Sequence, residues 1–305
     1  MNKHRTNALL QLLVLFALAA AVVLTLAWPQ LPFARRESEP VEVSVILRQA
    51  DAALWANARL GMEQAAGQLR AELRIVAPTA DNDPAEQARL MRYEAERGAD
   101  VLVVPAGELP ADVGVPVITL ESAGGAGAVC PDNEALGRAL AEAALADAPA
   151  GSVLLVDTAP GAAGVSARLA AAKAALEEAG VETAETAPAE KAQLETTLAE
   201  TDAAAVLLFE PSATEAAADA KEKLECSVPL YGVGSTGAIA AALERGTLSA
   251  SGVWSEFAAG YLAVEGAVHA ARGEDWQPQT LDFFILRGED IYEPDNQKLL
   301  FPVAS

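Results

Sequence analysis

From Val41 onward, short apolar runs alternate with stretches whose apolar positions recur every three or four residues. Val41–Leu47 is a brief β-branched run. Ala52–Leu69 puts Leu54, Ala58, Met62, Ala65 and Leu69 on one helical face. The same pattern predicts strands at Leu73–Ala77, Val101–Pro105 and Val115–Leu120, with helices at Pro84–Arg97 and Ala135–Ala146. It then restarts, with strands at Ser152–Asp157, Val181–Thr186, Ala205–Phe209 and Pro229–Val233. The helices between and after these are Gly164–Ala179, Lys191–Glu200, Thr214–Leu224 and Ala238–Arg245, before a long helix at Phe257–Arg272 and a strand at Leu281–Leu286.

Strands this apolar, without clean alternation, belong in a sheet covered by helices on both faces, hence a parallel one. The expected fold class is therefore α/β: two doubly wound parallel-sheet lobes, parted near residues 128–135, preceded by one N-terminal transmembrane helix. In such sheets a ligand binds beyond the carboxyl ends of the strands. This singles out the loops Arg48–Trp55, Thr79–Asp83, Ala106, Glu121-Ser122, Thr158–Gly164, Glu210, Gly234–Thr236 and Ser251–Trp254.

Ahead of this body, Ala8–Trp28 is an apolar run with one amide and no charge. About 21 residues at 1.5 Å each span a hydrocarbon core of roughly 30 Å. A cleavable signal peptide has a shorter apolar region and a small-x-small site. Thr25-Leu26-Ala27 is a poor one, so the run reads as an uncleaved signal anchor. Lys3 and Arg5 precede it and Arg35 and Arg36 follow, so basic residues do not set the orientation; the N-terminal amine and the large acidic body favour export of the C-terminal part. The expectation is a single-pass cell-membrane protein with its body on the extracytoplasmic side.

Charge and composition then close off several chemistries. The formal charge is −22, which repels phosphate backbones, so no nucleic-acid partner is expected. Only His269 lies in the body, which leaves no imidazole set for zinc and no His-based catalytic set with a visible partner. Cys130 and Cys226 lack zinc-ligand spacing. Neither metal nor cofactor is expected. Gly161–Gly164 lacks dinucleotide-loop spacing, and Gly232–Gly237 has no following lysine and is no P-loop.

The stretches LWANARLGMEQAA, APTADNDPAEQ, VGVPVITLES, VCPDNEALGRA, VSARLAAAKAAL and LYGVGSTGAIAAALERGTLSASGVWSEFAAGYLAVEGA follow one another over about 250 residues. In order and spacing the body resembles the type I periplasmic sugar-binding proteins, ribose- and galactose-type solute receptors of ABC transporters whose fold is that of the lac-repressor core. The resemblance implies two lobes joined by a three-crossing hinge, closing on one small ligand. It implies a tail, span and linker at 1–40, one lobe at 41–131 plus 255–280, a second at 132–254 plus 281–293, and a C-terminal tail at 294–305.

Carried over position by position, the resemblance places ligand contacts at Asp51, Leu54 and Trp55 of the first loop and at Glu121 with Ser122. It adds Arg168 on a helix, Glu210, Ser235 beside Gly234, and Trp254 at the last crossing. Asp132 and Asn133 become a helix cap and hinge. Tryptophan faces at a cleft suit stacking on a sugar ring, and carboxylates suit its hydroxyls. Ala171 and Ala172 replace the usual Gly-Phe after the arginine, Ser122 replaces an arginine, and Glu210-Pro211 replaces Asn-Asp, so much of the usual hydroxyl-gripping set is changed.

The expected function is a non-enzymatic, membrane-anchored receptor for a small carbohydrate-like solute, serving an ABC-type permease or a sensor kinase. Two rivals remain open. One is an anchored glycoside-acting enzyme using two of Glu121, Glu210 and Asp51; the other is a degenerate lobe pair acting as a protein-interaction module.

Overall fold

The computed structural model describes residues 16, 18, 39–105, 109–147, 151–188 and 191–302. Residues Met1–Pro40 and Val41–Ser305 form two separate units. The expected span at Ala8–Trp28 lies outside the described residues apart from Phe16 and Leu18, and among the described residues no helix is long and apolar enough to cross a membrane.

The second unit is built on two six-stranded sheets. The strands are β1 Val41–Ile46, β2 Ala71–Val76, β3 Val101–Val104, β4 Val117–Leu120, β5 Gly127–Pro131, β6 Val153–Val156, β7 Thr183–Thr186, β8 Ala205–Leu208, β9 Leu230–Val233, β10 Ala250–Trp254, β11 Gln279–Leu281 and β12 Phe283–Leu286. The helices are α1 Ala56–Leu69, α2 Pro84–Glu96, α3 Asn133–Ala146, α4 Ala163–Glu178, α5 Lys191–Glu200, α6 Pro211–Leu224, α7 Gly237–Glu244, α8 Glu256–Ala271 and α9 Pro294–Leu300.

The first sheet runs β2-β1-β3-β4-β5-β11, all parallel, and the second runs β7-β6-β8-β9-β10-β12, parallel except for β12 against β10. Both lobes share the 2-1-3-4-5 winding, whose strand order reverses between the first and third strands. The chain passes between lobes three times: from β5 to α3, from β10 to α8, and from β11 to β12.

Burial explains the apolar strands. Every residue of β3, β6, β8 and β9 is buried, whereas the edge strand β7 reads Thr-Ala-Glu-Thr and is largely exposed. Helices start promptly after strands because short polar side chains take their first free amides: Asp83 for α2, Asp132 for α3, Thr236 for α7 and Ser255 for α8. α1 packs against α8 at backbone distance: a Cβ on Gly61 would stand 2.0 Å from the Phe257 carbonyl oxygen, and one on Gly260 2.0 Å from that of Ala58.

Four elements depart from the sequence expectation. The strand β5 falls where none was expected, since Gly127, Ala128 and Pro131 carry little β signal. Ser251–Trp254, expected as a loop, belongs to the fully buried strand β10. Its Gly252 is small because a Cβ there would stand 2.6 Å from Leu136 Cδ1. The expected strand Leu281–Leu286 is two strands in different sheets, with Asp282 between them as the third crossing. The segment from 294, read as a tail, contains α9, whose Leu300 is buried in the second lobe's core.

Candidate functional site

The winding reversals of the two sheets place two carboxyl-end loops face to face, and Arg48 and Glu210 occupy them. Arg48 follows β1 and Glu210 follows β8. The Arg48 side chain is buried; its Nη2 lies 2.9 Å from Glu121 Oε2 and its Nη1 3.2 Å from Glu210 Oε1. Burial alone would draw its pKa down, but Glu121 and Glu210 outweigh that and hold the guanidinium above its ordinary value.

Glu210 is wholly buried and meets four donors from three loops. Besides Arg48 these are Gln49 Nε2, Thr158 Oγ1 at 2.6 Å and Asn82 Nδ2 at 3.3 Å. Asn82 Nδ2 also donates to the Thr158 carbonyl at 3.2 Å. Trp55 Nε1 donates to Gln49 Oε1 at 3.1 Å, which holds the Gln49 amide with its NH2 toward Glu210. Thr158 and Glu210 belong to the second lobe, Arg48, Gln49 and Asn82 to the first.

Beside this network a second chain of contacts runs back to the crossings. Arg168 is completely buried, and its Nε and Nη2 donate to the Phe209 carbonyl at 3.1 and 2.9 Å while Nη1 donates to Asn133 Oδ1 at 2.6 Å. Its guanidinium lies 5.7 Å from the Trp254 ring centroid. Asn133 Nδ2 in turn donates to the Glu121 carbonyl at 2.8 Å. Burial lowers the Arg168 pKa to about 10, so it remains cationic at neutral pH. Glu256, at the second crossing, is pushed up to about 7 by burial.

Three spaces adjoin these groups. One of about 30 Å3, the scale of a single water, is lined by Arg48, Gln49, Trp55, Glu121, Trp254 and Glu256 among others. A second of about 300 Å3 is lined by Arg48, Asn82 and Gln87 with Pro84, Pro105 and Pro160. A third of about 260 Å3 includes Asp51, Leu54, Asp81, Asn82, Thr158 and Glu215. Arg48 and Asn82, which both border the second, carry buried atoms, Nε and Oδ1, with no hydrogen-bond partner among the described residues. One is a donor and the other an acceptor.

Residues 43–275 match the model of a known family, the periplasmic binding protein domain. The chain belongs to that family. No curated protein sequence matches it. Among solved structures, this periplasmic binding protein is similar to a glucose-galactose binding protein from Geobacillus stearothermophilus, at 19% identity and a TM-score of 0.73, covering 84% of this chain and 100% of that one. A carbohydrate transporter solute binding protein from Agrobacterium radiobacter, in complex with D-arabinose, is 15% identical with a TM-score of 0.75, covering 87% and 100%. The periplasmic component of an ABC-type sugar transport system from Hahella chejuensis is 22% identical with a TM-score of 0.72, covering 81% and 99%. These likenesses establish the two-lobed fold.

Of the residues expected at the binding protein's site, Leu54, Trp55, Glu121 and Trp254 line the smallest space together, and Glu210 meets them through Arg48 and Gln49. Asp51 caps the 3-10 turn Ala52–Trp55 and lines the third space. Arg168, Ser122, Ser235, Asp132 and Asn133 line none of the three. Ser122 and Ser235 are buried, and their carbonyls accept from Thr119 and Asn57. Asp132 caps α3. Arg48, Gln49, Asn82, Thr158 and Glu256 carry no individual signal in the sequence. The first four lie in the strand-end loops Arg48–Trp55, Thr79–Asp83 and Thr158–Gly164, and Arg48 is the one cation among Arg48–Trp55.

Proposed function

We propose that this binding protein is an extracytoplasmic receptor for a small polyhydroxylated solute, a sugar or sugar derivative, held between its lobes. The observation carrying this is that Arg48 and Asn82, which border one space of about 300 Å3 between the lobes, each keep a buried side-chain atom, Nε and Oδ1, without a hydrogen-bond partner among the described residues. A hydroxyl group both donates and accepts, so neighbouring hydroxyls on one ring satisfy both atoms. The volume is at the lower end of small-molecule sites. The sugars and polyols named with the related solved structures, among them D-arabinose and myo-inositol, are of this class.

In this reading Arg48, Asn82 and Gln87 border the solute directly. Leu54, Trp55, Glu121 and Trp254 back Arg48 from the adjoining small space, and Glu210 fixes Arg48 from the second lobe. Asp51 lies on the third space, and Arg168, Ser122 and Ser235 support the loops from beneath. The lobes 41–131 plus 255–280 and 132–254 plus 281–293 move as rigid bodies about Asp132-Asn133 and the other two crossings. A solute that touches both lobes only when they are shut draws them closed. Residues 8–28 anchor the body outside the membrane, where the closed form meets an ABC-type permease or a sensor kinase. The solute leaves unchanged.

A melting screen of the full chain against pentoses, hexoses, polyols and sugar acids tests this, with mass spectrometry of any co-purified solute. Saturation at about 100 times Kd adds roughly 2.7 kcal/mol, and the melting temperature should rise by about 5–10 °C. A solute recovered chemically altered would point to the glycoside-acting enzyme. No shift with any of them would point to the interaction module.

A further inference from the structure

Glu210 stands on the second lobe, yet three first-lobe side chains, Arg48, Gln49 and Asn82, direct donors to its carboxylate. The centre of the contact is enclosed, with Glu210 wholly buried and Arg48 nearly so. It is tied at its rear as well: Trp55 holds Gln49, Glu121 holds the far side of the Arg48 guanidinium, and Thr158 holds the second Glu210 oxygen. A carboxylate gripped in this way does what a bound solute does in a two-lobed receptor, since it contacts both lobes only when they are shut.

We propose that Glu210 is a tethered surrogate for the solute, a latch that keeps the lobes closed with no solute bound. A separation of the lobes exposes one carboxylate and breaks the three contacts that Arg48, Gln49 and Asn82 make with it at once. Removing one partner of a buried pair is costly because the other is left uncompensated. The latch rests on the receptor reading only for the choice of moving parts. It reverses the usual order, in which the solute supplies the contacts that close the cleft. The solute then fits beside the latch, in the space bordered by Arg48 and Asn82, and Glu210 stays where it is.

The edge strands β2 and β7 lie at the sheet edges opposite the crossings, so opening separates them most. Glu72 and Ala184 are exposed positions on these strands. The test uses the full chain in detergent with Cys130→Ser, Cys226→Ser, Glu72→Cys and Ala184→Cys, labelled with a donor–acceptor pair and read as single-molecule energy transfer without added solute. The parent should show one short-distance population. Glu210→Gln should raise the open-to-closed ratio at least about tenfold, equivalent to about 1.4 kcal/mol. Should Glu210→Gln fail to fold, the double variant Gln49→Ala/Asn82→Ala removes two first-lobe donors and should open the cleft likewise. A parent that is mainly open, or folded variants that keep the parent distance, would overturn the latch. An open parent that still melts higher with a sugar loses the latch and keeps the receptor. A closed parent that opens with Glu210→Gln but answers to no solute keeps the latch and loses the receptor.

Discussion

Gly164, at the start of α4 in the second lobe, lies directly against the Glu121 carbonyl of the first lobe; a Cβ there would stand 2.0 Å from that oxygen. The obstacle is backbone, which cannot swing aside. In an open cleft the same position is an ordinary helical one, where alanine is favoured over glycine by roughly 0.5–1 kcal/mol. Gly164→Ala should therefore leave folding intact while preventing full closure. The expected result is a folded protein whose solute-free melting temperature falls modestly, because the closed-state contacts of Glu210 are lost, with solute affinity lowered at least tenfold. An unchanged affinity would show that the lobes need not approach this closely.

Arg168 reads from the sequence as a side chain facing the cleft, whose loss would weaken binding and spare stability. Its buried position reverses that expectation. Its donors serve Phe209 and Asn133, and its face meets Trp254. Hydrogen bonds from a charged group are worth about 1.5–3 kcal/mol each. Arg168→Lys keeps the charge but cannot reach both acceptors, so the solute-free melting temperature should fall by about 5–10 °C at roughly 2–4 °C per kcal/mol. A stable variant with selectively weakened binding would restore the cleft-facing role.

Glu256 gives stability a pH dependence. Burial raises its pKa from an ordinary 4.5 to about 7, so in this window the folded protein holds a proton that the unfolded chain has released. Stability contributed by that proton is complete below about 4.5 and is lost as pH climbs through about 7. At 1.36 kcal/mol per unit the loss is at most roughly 3 kcal/mol. Glu256→Gln stays neutral, so its melting temperature should fall less than the parent's between pH 5 and pH 8. Asp157, also raised chiefly by burial, remains in both proteins and leaves a smaller decline of the same sign. Parallel pH profiles would mean that Glu256 ionises normally.

The anchor is testable without any ligand. Intact-mass measurement of membrane-extracted protein should retain residues 1–40, and protease added to whole cells should release the body. A soluble mature protein beginning just after Ala27 would show the run to be a cleaved signal peptide.

Much of this architecture is local, and local physics is legible in a sequence. Apolar runs such as Val101–Val104 and Ala205–Leu208 can only be strands covered on both faces, and Pro84 behind Asp83 can only begin a helix. The two windings and the loops at their carboxyl ends followed from that rhythm alone. The strands β5 and β10 did not, because Gly127 and Gly252 are there for what packs on them, Trp276 and Leu136, far away in the chain. Leu281–Leu286 looked like one strand because the change of sheet at Asp282 has no local signature. At the site, residue types alone could not tell Arg168 from Arg48, two arginines that the fold treats in opposite ways. One is spent on carbonyl and amide acceptors beneath the cleft; the other bridges Glu121 and Glu210, keeps a buried donor without a partner among the described residues, and borders a space between the lobes. Whether a buried charge meets a protein partner or a solute depends on groups remote in the sequence, 41 residues away for Arg168 and Phe209 and 73 for Arg48 and Glu121. Only the closed tertiary structure brings them within reach.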